Sequence, residues 1–177
     1  LYLYTPEKSS NEYVNDFIEF ALSKEGQEIV AENGFVDMNI RSFLPESHEI
    51  KNVQDQTVVD QYVQNTETAE RLSVNFRFRK NSITLDNRAV RDLDRMVEFL
   101  KKNMDKRIML IGFADNSGDY AYNLKLAKQR ADAVSEQLKM RGLPIHRTLS
   151  MGEEIPVATN LTDKGREKNR RVEVWVK

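Results

Sequence analysis

The sequence predicts an α+β fold in which a mostly helical arm precedes one mixed sheet with helices packed on it. Three patterns support this prediction. Apolar and polar residues alternate over residues 72–78, as in a strand with one buried face. Residues 108–113 form an almost unbroken apolar run, as in a strand buried on both faces. Helical spacing follows each of these strands, so the predicted order is strand, helix, strand, helix, strand, strand.

The helices of this half are predicted from their ends and from their apolar stripes. Asp86 can cap the first helix, because its carboxylate can accept from the free amides of the first turn. Gly142-Leu143-Pro144 can end the second helix. The stripes are Val90, Leu93, Val97 and Leu100 in the first helix, and Leu124, Ala127, Ala131, Val134 and Leu138 in the second. The last two strands are predicted near residues 148–151 and 172–176.

The first seventy residues have weaker patterns. After a short apolar run at residues 1–4, a helix is predicted from the spacing of its apolar residues, with Ser10 or Asn11 as its cap. A second helix should stop at Asn33-Gly34. Residues 41–70 are rich in polar residues and predict a linker, with a short amphipathic helical turn at residues 58–63. The predicted division is therefore an arm (1–40), a linker (41–70) and a domain (71–177).

Composition excludes several classes of protein. The 27 basic residues are matched by 28 acidic ones, so we expect no nucleic-acid partner. No apolar run approaches the roughly 20 residues that cross a bilayer, so we expect no membrane span in this chain. Cysteine is absent, which removes disulfides, thiolate metal sites and cysteine nucleophiles. Because the chain begins at Leu1, we expect it to be a fragment or a processed chain.

Catalysis is not expected either. His48 lies in the polar stretch and His146 near a predicted strand start, outside any recognisable catalytic arrangement. Glu153-Glu154 could suggest the paired carboxylates of a glycosidase, but both lie in a loop. We therefore expect no catalytic residue, no cofactor and no metal.

Five motifs in the second half occur together, in this order and at this spacing, in one family. They are Gly112-Phe113-Ala114-Asp115-Asn116-Ser117-Gly118; Tyr122-Asn123; Leu126-Ala127-Lys128-Gln129-Arg130-Ala131; Gly152-Glu153 with Pro156, Asn160, Thr162, Gly165 and Arg166; and Asn169-Arg170-Arg171-Val172-Glu173. With these motifs, residues from about 70 to 177 resemble the OmpA-like C-terminal peptidoglycan-binding domain.

The resemblance implies non-covalent binding of peptidoglycan. In this family an aspartate after the second strand and an arginine on the following helix hold the meso-diaminopimelate of the stem peptide. By position these residues are Asp115 and Arg130. The other expected ligand-binding residues are Asn123, Leu126 and Gly118, and the expected secondary contacts are Phe76, Asn160, Arg166 and Arg170.

The chemistry of these side chains suits that ligand. Diaminopimelate ends in an ammonium and a carboxylate on one carbon, so Asp115 can accept from the ammonium while the fork of Arg130 grips the carboxylate. Backbone amides after Gly118 offer further donors. Helical spacing places Asn123, Leu126 and Arg130 along one edge of their helix, so we expect Arg130 at the boundary between core and solvent.

Structural interpretations of the same residues stay open. Asp115 could cap a turn while Arg130 is a surface charge, and Arg166, Arg170 and Arg171 could tie the long loop to the sheet. The corresponding alternative function is a structural or interaction module of a larger solute-binding or envelope protein without its own peptidoglycan affinity. The resemblance implies a periplasmic location, associated with the cell wall or outer membrane of a Gram-negative-type envelope.

Residues 1–40 resemble a different family. Tyr2-Leu3-Tyr4-Thr5-Pro6, the helix through residues 17–23, Glu25-Gly26-Gln27 and Gly34-Phe35-Val36 are similar to the closing segment of phosphate-binding-type periplasmic solute-binding proteins. So short a segment cannot form that bilobal fold, so no solute site is expected here. Its exposed apolar residues make self-association through the arm, and thus a homo-oligomer, an expectation.

Overall fold

The computed structural model describes residues 11–35, 37–45, 50, 53–102 and 105–177. The chain divides into two compact units, Leu1–Asn39 and Ile40–Lys177. The first unit contains two helices, α1 (Glu12–Leu22) and α2 (Lys24–Glu32). The mostly helical arm is therefore confirmed for its described residues.

The ends of these helices follow local sequence signals. The side chain of Asn11 caps α1 by accepting from the amide of Tyr13. The alternative cap, Ser10, lies outside the described residues, as does the apolar run at residues 1–4. Gly34 has a φ of 78°, in the left-handed region, and ends α2 as its sequence predicts.

The second unit is built on one five-stranded mixed sheet with the order β1-β2-β5-β3-β4. Its strands are β1 (Ser42–Phe43), β2 (Glu70–Arg77), β3 (Ile108–Gly112), β4 (Ile145–Ser150) and β5 (Arg171–Val176). Its helices are α3 (Gln56–Thr66), α4 (Asn87–Lys101), α5 (Tyr120–Met140) and α6 (Asp163–Asn169). Strand β5 is antiparallel to both β2 and β3, and β3 is parallel to β4. The α+β class and the mixed sheet are confirmed.

The main core lies on one face of this sheet. Alternate residues of β5, Val172, Val174 and Val176, face it together with the buried residues of β2. Helices α4 and α5 cover the face with their apolar stripes, and Leu93 and Leu138 are fully buried. Asp86 caps α4 by accepting from the amide of Ala89, as predicted.

The opposite face of the sheet is covered by α3. This helix lies in the stretch that the sequence assigns to a linker. The helical turn predicted at residues 58–63 is confirmed, and the helix extends over Gln56–Thr66. Val59 is buried, and Val58 and Tyr62 pack against an apolar cluster that includes Phe113 and Trp175. Val58, Val59 and Tyr62 fall on one face of the helix, which suffices to hold it on the sheet.

A buried charge cluster lies under α3. The carboxylate of Glu173 accepts from Nε of Arg171 at 2.8 Å, from Nε1 of Trp175 at 3.1 Å and from the hydroxyl of Tyr62 at 3.5 Å. Nη2 of Arg71 lies 3.1 Å from the same carboxylate. The guanidinium of Arg171 also lies 3.7 Å from the centre of the Phe113 ring. Paired in this way, these charges can stay buried.

We expect Tyr62→Ala to lower the free energy of unfolding of the second unit by about 2–3 kcal/mol, because it removes a packed ring and a hydrogen bond. Urea unfolding followed by the fluorescence of Trp175, the one tryptophan of the chain, measures this. Tyr13→Ala is the control, because Tyr13 is 71% exposed on α1. Equal stability of Tyr62→Ala and the unmutated chain would contradict the packing of α3.

Candidate functional site

The predicted ligand-binding residues line one pocket. Asp115, Gly118, Asn123, Leu126 and Arg130 surround it, and Arg170 joins them. The pocket forms where the end of β3, the start of α5, the loop after β2 and the start of β5 meet. Its free volume is about 10 Å³, which is room for about one water molecule.

Asp115 is held at the end of β3 by its own hydrogen bonds. One carboxylate oxygen, Oδ1, accepts from the amide of Ser117 at 3.0 Å. The other oxygen, Oδ2, accepts from Nη1 of Arg170 at 2.5 Å. Burial alone would raise the pKa of the Asp115 carboxyl, but the hydrogen bonds from Arg170 and Ser117 outweigh it, and the pKa lies below its ordinary value. Asp115 is therefore a carboxylate that already has a cationic partner.

Arg130 is fully buried. Its guanidinium donates to three backbone carbonyls, those of Ser82 at 3.0 Å, Phe113 at 3.3 Å and Arg79 at 3.2 Å. The expectation that Arg130 lies at the boundary between core and solvent is wrong, because the loop after β2 covers it. Burial, with the nearby charge of Arg170, lowers the pKa of Arg130 to about 10, so it stays a cation at neutral pH.

The bonds of Arg130 leave part of its fork available. A guanidinium has five N–H groups, and the three carbonyls take one each from Nε, Nη1 and Nη2. Within the described chain no further acceptor is bound to the second N–H of Nη1 or of Nη2. Arg130 lines the pocket, so these N–H groups are candidate donors to a carboxylate bound there.

Asn123 lies on the first turn of α5 and is 2% exposed. Its Nδ2 donates to the carbonyl of Gly118 at 3.3 Å and to the carboxylate of Glu153. Gly118 faces this side chain closely, since a Cβ at Gly118 would lie 2.9 Å from Oδ1 of Asn123. A larger residue at position 118 would therefore close this side of the pocket.

The pocket carries a net positive charge. Among the described residues that line it, Lys80, Arg130 and Arg170 are cationic and Asp115 is anionic. Arg170 is fixed by a second bond, from its Nε to the carbonyl of Phe78 at 3.0 Å. This pocket therefore favours a bound anionic group over a bound cation.

The other residues singled out from the sequence lie elsewhere. Phe76 is 1% exposed in the main core, because it belongs to the alternate residues of β2 that face α4. Asn160 and Arg166 order the loop after β4, since Nη1 of Arg166 donates to the carbonyl of Asn160 at 2.6 Å. Arg171 points to the opposite face of the sheet from Arg170. Of the four expected secondary contacts, Arg170 is the one that lines the pocket.

The contacts of Glu153 and Glu154 and the position of His146 give no catalytic arrangement among the described residues. Glu153 binds Asn123, while Glu154 accepts from the amides of Gln54 and Asp55 at 3.1 and 2.9 Å just before α3. His146 is exposed on β4, and His48 lies outside the described residues. Over the described ranges, no group of three or more His, Cys, Asp and Glu could hold a metal ion. No helix in that part of the chain is long and apolar enough to cross a membrane.

Sequence reasoning missed two groups of residues. Asn169 is fully buried and organises the long loop, because its side chain bonds the amides of Val157 and Ala158 and the carbonyl of Ala158. Its place in the closing motif was the available signal. Lys80 and Asn81 line the pocket from the loop after β2. The residue types of this loop predict a turn, but they do not predict which side chains the turn contacts.

Comparison with known proteins gives a consistent result. The peptidoglycan-binding protein ArfA of Mycobacterium tuberculosis is 40% identical over 86 residues, which are 48% of this chain and 26% of that protein. The peptidoglycan-associated lipoprotein of Pseudomonas putida is 39% identical over 110 residues, 61% of this chain and 66% of that protein. The chain thus spans less than two-thirds of either curated relative.

The fold has solved counterparts as well. The crystal structure of the peptidoglycan-associated lipoprotein from Burkholderia pseudomallei superposes with a TM-score of 0.55 at 27% identity, covering 58% of this chain and 89% of that one. The model of the OmpA family matches residues 77–170. Because this match begins at residue 77, the resemblance of residues 1–40 to solute-binding proteins stays a prediction. A match over more than half of its residues shows that the chain belongs to the OmpA family.

Proposed function

We propose that this chain binds peptidoglycan non-covalently through the pocket around Asp115 and Arg130, and so anchors an envelope protein to the cell wall. The ligand is the meso-diaminopimelate of the stem peptide. The observation that carries the proposal is that Asp115, Asn123 and Arg130, far apart in sequence from Arg170, line one pocket with it. The names of the curated relatives, a peptidoglycan-binding protein and a peptidoglycan-associated lipoprotein, support peptidoglycan as the binding partner.

The charges of the pocket fit the free end of diaminopimelate. Its carboxylate offsets the surplus positive charge of Arg130 and Arg170. Arg130 also has two N–H groups that no acceptor of the described chain binds. The ammonium of diaminopimelate is a cation and can replace the guanidinium of Arg170, which lies 2.5 Å from the carboxylate of Asp115. A zwitterion can therefore exchange with the Asp115–Arg170 ion pair, so that the ammonium takes Asp115 and the carboxylate takes Arg170 and Arg130.

The pocket has little free space because Arg170 occupies the carboxylate of Asp115, and the exchange would free that carboxylate for the ligand. Breaking an ion pair that is largely buried is costly unless both charges find new partners. A zwitterion supplies both partners at once, whereas an amine alone leaves Arg170 unpaired. The pocket thus selects for a ligand that carries an ammonium and a carboxylate on one carbon.

The proposed location follows from the ligand. We place the chain in the periplasm, associated with the cell wall or outer membrane of a Gram-negative-type envelope. The similarity to the outer membrane porin F of Pseudomonas fluorescens, 35% identical over 107 residues, supports this.

We expect diaminopimelate-type sacculi to bind at least tenfold more tightly than lysine-type sacculi. Lysine has the amine but lacks the carboxylate beside it, and about 1.4 kcal/mol is sufficient for this factor. Arg130→Lys keeps the charge, loses the fork and should remove most of the preference, once Trp175 fluorescence has shown that the variant is folded. Equal binding of both sacculi by the unmutated chain would exclude a carboxylate clamp, and no binding to either would favour the structural alternative.

Asp115→Asn should remove the preference for a free amine. Asparagine keeps the bond from Ser117 but loses the charge that an ammonium needs. We expect the unmutated chain to prefer diaminopimelate over its form acetylated on that amine by about tenfold, a difference of about 1.4 kcal/mol, and Asp115→Asn to bind both alike. Calorimetry measures both affinities. Asp132→Asn is the control, because Asp132 pairs with Lys128 outside this pocket. A preference that survives in Asp115→Asn would show that Asp115 does not hold the amine.

A further inference from the structure

The orientation of the Asn123 amide is fixed by its surroundings. Its Nδ2 has two acceptors, the carbonyl of Gly118 at 3.3 Å and the carboxylate of Glu153. Neither acceptor can donate, so the nitrogen and not the oxygen must face them. The oxygen Oδ1 accepts no hydrogen bond within the described chain, and Asn123 lines the pocket.

We propose that Glu153 is a positioning residue, which holds the amide of Asn123 so that its Oδ1 accepts an N–H of the bound ligand. The proposal rests on the proposed function, because the N–H is that of the diaminopimelate amine. It adds a second acceptor to Asp115. Asp115 is already paired with Arg170, whereas no donor of the described chain competes for Oδ1 of Asn123.

Glu153 is itself held in place. Its Oε1 accepts from Nε2 of Gln54 at 2.9 Å, while its other oxygen binds Asn123. Gln54 precedes α3, and the neighbouring Glu154 accepts from the amides of Gln54 and Asp55. Gln54 and Asp55 therefore hold the loop that contains Glu153 and Glu154, and Glu153 in turn holds Asn123.

Gly118 leaves room beside Oδ1 of Asn123. A Cβ at this position would lie 2.9 Å from Oδ1, closer than non-bonded atoms tolerate. The free oxygen is thus flanked by the one residue type that has no side chain to cover it.

Two substitutions of Glu153 separate position from charge. Glu153→Gln and Glu153→Ala both remove the negative charge, but glutamine keeps an acceptor for Asn123 while Gln54 rotates its amide to accept from the new NH₂ group. We expect Glu153→Ala to weaken binding of meso-diaminopimelate about three- to tenfold, the loss of roughly one hydrogen bond. Glu153→Gln should retain most of the affinity. Glu136→Ala, an exposed glutamate on α5, is the control.

A double-mutant cycle tests whether Glu153 acts through Asn123. In the Asn123→Ala background, Glu153→Ala should have no further effect on affinity, because the group that it positions is gone. The side-chain NH₂ signals of Asn123 in ¹⁵N-resolved NMR give a second readout. They should shift and exchange faster with water in Glu153→Ala than in Glu153→Gln.

The outcomes separate the two proposals. If the unmutated chain binds no diaminopimelate, the proposed function fails and the role of Oδ1 fails with it. If it binds but Glu153→Ala binds equally well, the positioning role alone is overturned. Equal losses from Glu153→Ala with and without Asn123, or unchanged NH₂ signals of Asn123 in that variant, would also overturn it.

Discussion

The buried guanidinium of Arg130 is the constraint on which the rest of the site depends. A fully buried cation without partners would cost several kcal/mol, and here three backbone carbonyls accept from it. Two of these belong to Arg79 and Ser82 in the loop after β2, and the third belongs to Phe113 after β3. One side chain of α5 thus fixes the loop, the strand end and the helix relative to one another, and the pocket lies where they meet.

The start of β5 sets the charge of each face of the sheet. Arg170 ends α6 and Arg171 begins β5, and the two side chains bond to different partners on opposite sides of the sheet. Arg171 enters a closed cluster in which Glu173 also meets Arg71, Tyr62 and Trp175. Arg170 pairs with a single carboxylate, that of Asp115, which also interacts electrostatically with Arg130. One face is therefore closed to a ligand because α3 covers its charged cluster, whereas the other keeps surplus positive charge that a ligand can offset.

The sequence predicts β2 to β5, α4 and α5 because their apolar periods are clear, whereas β1 and α6 have no such period. It also predicts which residues meet in the pocket, since Asp115, Asn123 and Arg130 lie in motifs of one family. It does not predict that Arg130 is buried, because helical spacing cannot reveal a loop that covers a side chain. The Asp115–Arg170 pair spans 55 residues, and no local pattern encodes it. Of helix α3 the sequence predicts only a turn at residues 58–63, because a largely polar stretch needs few apolar residues to lie on a sheet.

The proposed binding mode is the exchange of a zwitterionic ligand with the Asp115–Arg170 ion pair. Its most direct test is an NMR titration of the ¹⁵N-labelled chain with meso-diaminopimelate, in which the Nε–Hε signals of Arg130 and Arg170 are followed. The exchange predicts that both signals shift with one common binding curve, and that the ¹³C shift of the Asp115 carboxylate changes with them. Binding that leaves the Arg170 and Asp115 signals unchanged would mean that the ion pair stays intact, which would contradict the exchange.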